Sequence, residues 1–597
     1  MSSDLFKSCR NGNVIELPAE WNTPVSIGKD YSSCTFRGNN TRWSESTTAE
    51  FTNDGENEVW TGLLPAGHTF LYRDDKNVNR SRWPESEMLS CTTWEKKWDE
   101  NKVLQLNRLH TTLPAEIRND LTGSTAVLYF DWLNVRLDVT AITEDYIDLS
   151  LKSRMQGAPD CKFFFENVPV QHLTPGKWLP VPEKGIFYYK PLPGEKRSDA
   201  VFKTAGAKQL LTVNEAENIM FENITFCCNG DSMDANSPQA DVAGAAAVEL
   251  YNARNCVFRN CKFINLARWG MLIADGSSGN RIEHCTFENI GSGAIRIQGN
   301  ENSAEPAFAT LGNTIDSTHI AHGGQLWAGC SAITIKHAAE NTISNCEICH
   351  FPYTGISCGW TWGYRTSPAY GNCIIRNHVH HLGMEHIVKD MGGIYLLGIQ
   401  PGTTVAENHI HDVEGERFAW GIYLDEGSSD MVIRDNLICR CDSELLHIHF
   451  GRNNLVTGNV LAAGKGTTCI SVTRGTMDFN NSFVDGDKVF DFKNNLCIAE
   501  SAPFYLKYLL DIEGKEDVLA SWKGDNNLYI QQDPTFTAKF GDDYHCIEKT
   551  FREIPDSTFI APGREEHSIF ITGTLPAPED VPEAVRELYR FYLDKHC

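Results

Sequence analysis

Two short runs hold carboxylates beside a shared Gly-Ile-Tyr-Leu motif. The first is Asp390-Met391-Gly392-Gly393-Ile394-Tyr395-Leu396. The second is Trp420-Gly421-Ile422-Tyr423-Leu424-Asp425-Glu426-Gly427. Hydrolysis of a glycoside uses two carboxyl groups, one protonating the leaving oxygen and the other attacking carbon or activating water. Asp390, Asp425 and Glu426 are therefore the candidate catalytic acids. If Ile422 and Leu424 point inward on a strand, Tyr423 and Asp425 point outward. The shared glycines are expected to leave room for a ligand to approach the backbone. Aromatic side chains offer flat apolar surfaces to sugar rings, so Trp360, Trp362, Tyr395, Trp420 and Tyr423 are expected to bind substrate. His447, His449 and Arg452, one repeat later, could meet sugar hydroxyls. The histidines of the His447-Ile448-His449 run lack an identifiable third ligand, so no metal site or cofactor is expected.

The repeat that must position these residues dominates positions 206–500. Its unit is a short alternating strand, a small polar residue and another short strand. Examples are Phe258-Arg259-Asn260-Cys261-Lys262-Phe263, Ile343-Ser344-Asn345-Cys346-Glu347-Ile348 and Val405-Ala406-Glu407-Asn408-His409-Ile410. Such a unit cannot bury its apolar face alone and must stack, which predicts a parallel β-helix, an all-β solenoid, expected to be right-handed from the resemblance given below. Asn260, Asn345, Asn377 and Asn408 are expected to stack at one corner, where Asn tolerates a left-handed turn and its amide can bond the next Asn. Residues 1–50 read as opening strands of the solenoid. Residues 51–205 read as an inserted β-sandwich-like domain, and residues 501–597 as further strands with a short helix near Pro582 to Asp594 that docks on the body or caps its end.

Composition narrows the function. A formal charge of −25 excludes the positive field of a non-specific nucleic-acid binder. No apolar run is long enough for a membrane helix. The partner expected is a carbohydrate, with no nucleic acid and no membrane; oligomeric state is left open. Many of the 20 cysteines sit in strand patterns, where they act as small hydrophobes. Free thiols favour a reducing compartment. With no leader-like segment at the start, the expectation is a cytoplasmic protein, or a secreted or periplasmic one if a signal peptide was removed.

Several of these runs resemble the right-handed β-helix glycoside hydrolases of family 141. They are Gly359-Trp360-Thr361-Trp362-Gly363, the two Gly-Ile-Tyr runs, and His449-Phe450-Gly451-Arg452-Asn453-Asn454, where the family commonly has Tyr at the position of Phe450. Upstream, Val78-Asn79-Arg80-Ser81-Arg82-Trp83-Pro84 and Gly185-Ile186-Phe187-Tyr188-Tyr189 fit as well. The resemblance covers about residues 12–500. It implies α-L-fucosidase or xylan-directed activity on plant or algal glycans, with a pair of aspartates that falls on Asp390 and Asp425. Asp390 is assigned as nucleophile and Asp425 as proton donor, with Glu426 expected to raise the Asp425 pKa. Adjacent coils lie about 4.8 Å apart, which favours a retaining enzyme. On a straight strand, however, the two aspartates would lie up to about 20 Å apart, so the chain must bend near Met391-Gly392. The alternatives are a polysaccharide lyase using Lys389 and Arg452, or a non-catalytic glycan-binding β-helix.

Overall fold

A computed structural model describes residues 13–53, 59–151, 161–233, 239–301, 309–415, 418–475, 490–500, 505–510, 522–532, 536–541, 550–554 and 565–595. Two sheets of 25 and 14 strands, parallel except for the last pair of the smaller one, Phe536–Gly541 with Thr550–Ile554, wind around one core. Each coil adds two short strands to the larger sheet and one to the smaller. The inward positions repeat in register. Phe221, Phe258, Ile282, Ile315, Ile343, Ile374, Val405, Ile433, Val456 and Phe492 form one buried column. Phenylalanines stack in the early coils, for instance Phe263 on Phe287 at 4.3 Å between centroids. β-Branched aliphatics, which suit a pleated surface, take over later.

The corner between the two strands of the larger sheet needs two residue types, not one. Asn260, His284, Ser317, Asn345, Arg376, Glu407 and Asp435 follow one another there, all with φ between 49° and 58°. The amide ladder is one residue further on. Asn377 bonds Asn408 (3.0 Å), which bonds Asn436 (2.9 Å), and Asn459, Asn495 and Asn527 continue it. The expected four-residue stack is thus split: Asn260 and Asn345 make the left-handed turn, whereas Asn377 and Asn408 sit in the ladder. A second ladder, Asn280–Asn313–Asn341–Asn372, lines another corner.

The opening strands belong to the solenoid. Thr35–Trp43 pairs in parallel with Met220–Cys227, which brings Phe36 beside Phe221. Between them lies the insertion. Two four-stranded sheets enclose Trp60, Leu71, Trp178, Phe187, Tyr189 and Phe202, and an eight-stranded antiparallel sheet carries its own core around Leu109, Leu128 and Phe163. The parallel ladder also runs past residue 500, through Leu528–Gln531 to Ile569–Thr572. The helix Glu583–Lys595 lies along the side of the solenoid. Val585 and Tyr589 pack on Leu437, Val460, Leu496 and Leu528, so it covers an outer face and does not close an end.

Among the described residues, 17 cysteines carry no disulfide, and all but the half-buried Cys373 are buried. No described helix is long and apolar enough to cross a membrane.

Candidate functional site

The two Gly-Ile-Tyr runs are neighbouring strands of the smaller sheet, Met391–Ile399 and Ala419–Ser429, paired with Tyr395 beside Tyr423 and Leu397 beside Asp425. Ile394, Leu396, Ile422 and Leu424 fill the core, so the alternate residues face out. The shared glycines do not face a ligand. A Cβ on Gly393 would meet Ile410 Cγ2 at 2.5 Å, and one on Gly421 would meet Ile438 Cγ2 at 2.3 Å. Their role is to admit bulky core side chains from the next sheet.

Asp390 stands just before its strand with φ 62°. This left-handed residue supplies the bend that a straight strand lacks, and its carbonyl accepts the Tyr353 hydroxyl at 2.8 Å. At the other end, the register slips between Leu397 and Ile399, so Asp425 and Glu426 bulge outward. Both ends therefore turn toward one cleft of about 380 Å³. It is lined by Asp390, Asp425, Glu426, Trp362, Tyr395, Tyr423 and His449, with Tyr353, Phe418, Lys389, Gln239, Asp131 and Trp132.

Two tyrosines hold Asp425. The Tyr395 hydroxyl donates to Oδ2 at 2.5 Å and the Tyr423 hydroxyl to Oδ1 at 2.9 Å. Burial and Asp425 push the Tyr395 pKa well up, so this hydroxyl keeps the proton it donates. Asp390 is different. Burial first, then the charge of Asp425, push its carboxyl up to about 8, while Tyr423 and Lys389 oppose the shift. Glu426 is not among these causes. The cleft thus pairs a carboxyl that keeps a proton at neutral pH with one that accepts two hydroxyls.

Four expected contacts are not in the cleft. Trp360 is 3% exposed, with its indole N–H donated to Ser357. Trp420 is 1% exposed, donates to Glu444 and stacks on His447 at 4.4 Å between centroids. His447 is equally buried and bonds the Ser471 hydroxyl at 2.6 Å, so both residues are packing elements behind the tyrosines. Arg452 lies over the Tyr364 ring at 4.2 Å, outside the lining. Of the expected platforms, Trp362 is the open one, 37% exposed.

Asp131 and Trp132 were not foreseen. They form the tip between the antiparallel strands Thr125–Phe130 and Leu133–Ile142 of the insertion. Asn134 and Arg136 anchor this hairpin by donating to the Leu326 carbonyl at 2.9 and 2.7 Å. At the tip, the Asp131 carbonyl accepts the Lys389 backbone N–H at 2.8 Å, and its carboxylate pairs with Lys389 Nζ at 3.0 Å. The insertion therefore builds one wall of the cleft and fixes the residue before Asp390. The signal that could have revealed it is a tryptophan set in the short turn between two strand patterns, Asp131-Trp132.

A family model described as "Right handed beta helix region" matches residues 201–337 and 312–484. No curated protein matches the sequence. Among solved structures, one described as "Glycoside hydrolase" is similar, with a TM-score of 0.58 and 17% identity over 89% of this chain and 90% of the other. XylC in complex with xylose is similar with a TM-score of 0.50 and 9% identity, over 89% of this chain and 83% of the other. The family match places a right-handed β-helix at residues 201–484, and the two likenesses show an overall fold shared across most of the chain.

Proposed function

We propose that the protein is a glycoside hydrolase, with Asp390 as the proton donor and Asp425 as the nucleophile. The observation that carries this reading is geometric: Asp390 and Asp425 face one cleft, and two tyrosine hydroxyls donate to Asp425, which marks it as the accepting carboxylate, while burial beside that charge raises the Asp390 carboxyl. This reverses the roles expected from sequence, where Glu426 was to keep Asp425 protonated. Tyr423 donates its one hydroxyl proton to Asp425, and the same hydroxyl also meets Asp390. Two contacts through one oxygen keep the carboxyls within roughly 6 Å of each other, which favours a retaining route over the wider inverting one.

In that route Asp390 gives its proton to the glycosidic oxygen while Asp425 attacks the anomeric carbon, and the leaving alcohol departs. Asp390, now ionised, takes a proton from water as that water cleaves the glycosyl ester. Tyr395 and Tyr423 position the Asp425 carboxylate. Trp362 and Trp132, both in the lining, offer apolar surface for a sugar face. The lyase reading loses support because Lys389 is paired with Asp131 and Arg452 lies outside the cleft.

The xylose complex of XylC and the resemblance to family 141 make xylosides and α-L-fucosides the first substrates to try, followed by plant and algal glycans. Aryl glycosides of these sugars should release phenol and a free sugar that keeps the starting anomeric configuration, followed by NMR. An inverted product would reject the assigned roles. Absence of hydrolysis across aryl glycosides and glycans alike, with or without an unsaturated product absorbing near 235 nm, would reject the hydrolase.

A further inference from the structure

The outer face of the larger sheet carries a second cluster that the cleft chemistry does not use. Strand His378–Leu382 pairs in register with His409–Val413, which sets His378 beside His409 and His380 beside His411. His319 and Glu347 precede His378 in its column. His322, His350 and His381 occupy the adjoining left-handed corner, followed by Asp412. Eight of the chain's 19 histidines thus lie on one patch, a density that ordinary surface usage does not explain.

We propose that His378, His409 and His411 form a binding site for a divalent transition-metal ion of the zinc, nickel or copper class. Their ligand nitrogens lie within 4.8 Å of one another. His378 Nε2 and His411 Nε2 are 2.7 Å apart, a spacing that a small shift opens to the roughly 3.3 Å between two nitrogens each about 2.0 Å from one zinc ion. His409 stacks on His378 at 5.1 Å and meets His411 at 4.4 Å between centroids. An all-imidazole set suits these metals rather than calcium or magnesium, which prefer oxygen.

The surroundings of His411 match what a metal-bound histidine needs. Its Nδ1 lies 2.7 Å from Asp412 Oδ2 and 2.8 Å from Arg440 Nη2, and Arg440 donates to the same carboxylate at 2.6 and 3.0 Å. With the Arg440 protons taken by Asp412, a proton on Nδ1 donated to that carboxylate leaves the Nε2 lone pair facing His378. Carboxylate-to-histidine contacts of this kind fix the tautomer and the ring orientation of metal ligands. The set bridges two coils, so an ion would tie them together across the sheet. It lies on a different sheet from the acid cleft, and its occupancy is independent of the glycosidase reading.

The test is calorimetric titration of the untagged, chelator-treated chain with Zn²⁺ at neutral pH, backed by the visible spectrum of the Co²⁺ form. One ion per chain with a dissociation constant in the micromolar range or tighter is expected, together with a rise in melting temperature. Paired replacement His378→Ala with His411→Ala should weaken binding at least a hundredfold. Asp412→Asn should weaken it about 10- to 100-fold. His319→Ala, on the same face but outside the trio, should leave it unchanged. Should the paired variant fail to fold by circular dichroism, His409→Gln, at a partly exposed position, supplies the same comparison. No binding in the micromolar range, or binding that survives loss of the trio, overturns the site.

Discussion

The raised carboxyl of Asp390 has a stability consequence that separates it from an ordinary surface acid. In the unfolded chain an aspartate loses its proton near pH 3.9, whereas here the proton stays to about 8. Between those values the folded state holds a proton that the unfolded state has released, so stability falls as pH rises through the window and is level outside it. At pH 7 three units of the window have been crossed, at 1.36 kcal/mol each, or about 4 kcal/mol. The carboxyl borders cleft water, which screens part of this, so we expect about 2 to 4 kcal/mol. Asp390→Asn keeps the shape and abolishes the titration. The variant should therefore be more stable than the parent at pH 7 by that amount and equal to it near pH 4, while its hydrolysis falls a thousandfold or more. Urea unfolding of both proteins from pH 4 to 8 reads the first effect, and kcat/KM on an aryl glycoside reads the second. In the parent, kcat/KM should decline as pH passes 8. A difference in stability that does not change with pH would refute the argument, as would a variant with near-parental turnover.

Other consequences are open to single substitutions. Tyr395→Phe removes a hydrogen bond to a charged carboxylate, worth about 1.5 to 3 kcal/mol, and should lower kcat about 10- to 100-fold with little change in melting temperature. Trp362→Ala should raise KM and leave the fold intact, whereas Trp420→Ala, in the packed layer behind the tyrosines, should cost about 3 to 5 kcal/mol of stability by denaturant unfolding. Asn436→Ala opens the ladder between Asn408 and Asn459, and should cost about 1 to 3 kcal/mol. A melting temperature unchanged by that substitution would remove the ladder from the account of stability.

The sequence reveals what is periodic and conceals what depends on neighbours in other coils. The solenoid is legible because inward Phe, Ile and Val recur with strand alternation. The corner is legible only to within one residue, since Asn serves equally in a left-handed turn and in an amide ladder, and Asn260 and Asn377 differ by that one step. Gly393 and Gly421 are visible as a shared motif, but the reason for them, Ile410 and Ile438 behind the sheet, is not. Outward alternation identifies Tyr395, Tyr423 and Asp425. It cannot show that Trp420 and His447 are covered, because that depends on stacking between coils. Asp131 and Trp132 come from far upstream and reach the cleft only through a hairpin whose docking no local pattern encodes.

The insertion also bears on how the chain assembles. The first coil pairs with strand Met220–Cys227 only after the whole insertion has left the ribosome and drawn its ends together. Contacts of such wide sequence separation form late, because loop closure precedes any reward. During synthesis the growing solenoid therefore presents the unpaired edge of Met220–Cys227, a row of free backbone donors and acceptors that another chain could join. The opening strands act as a lid on that edge. Their removal would unpair that edge while leaving the cleft residues, which lie on later coils, in place.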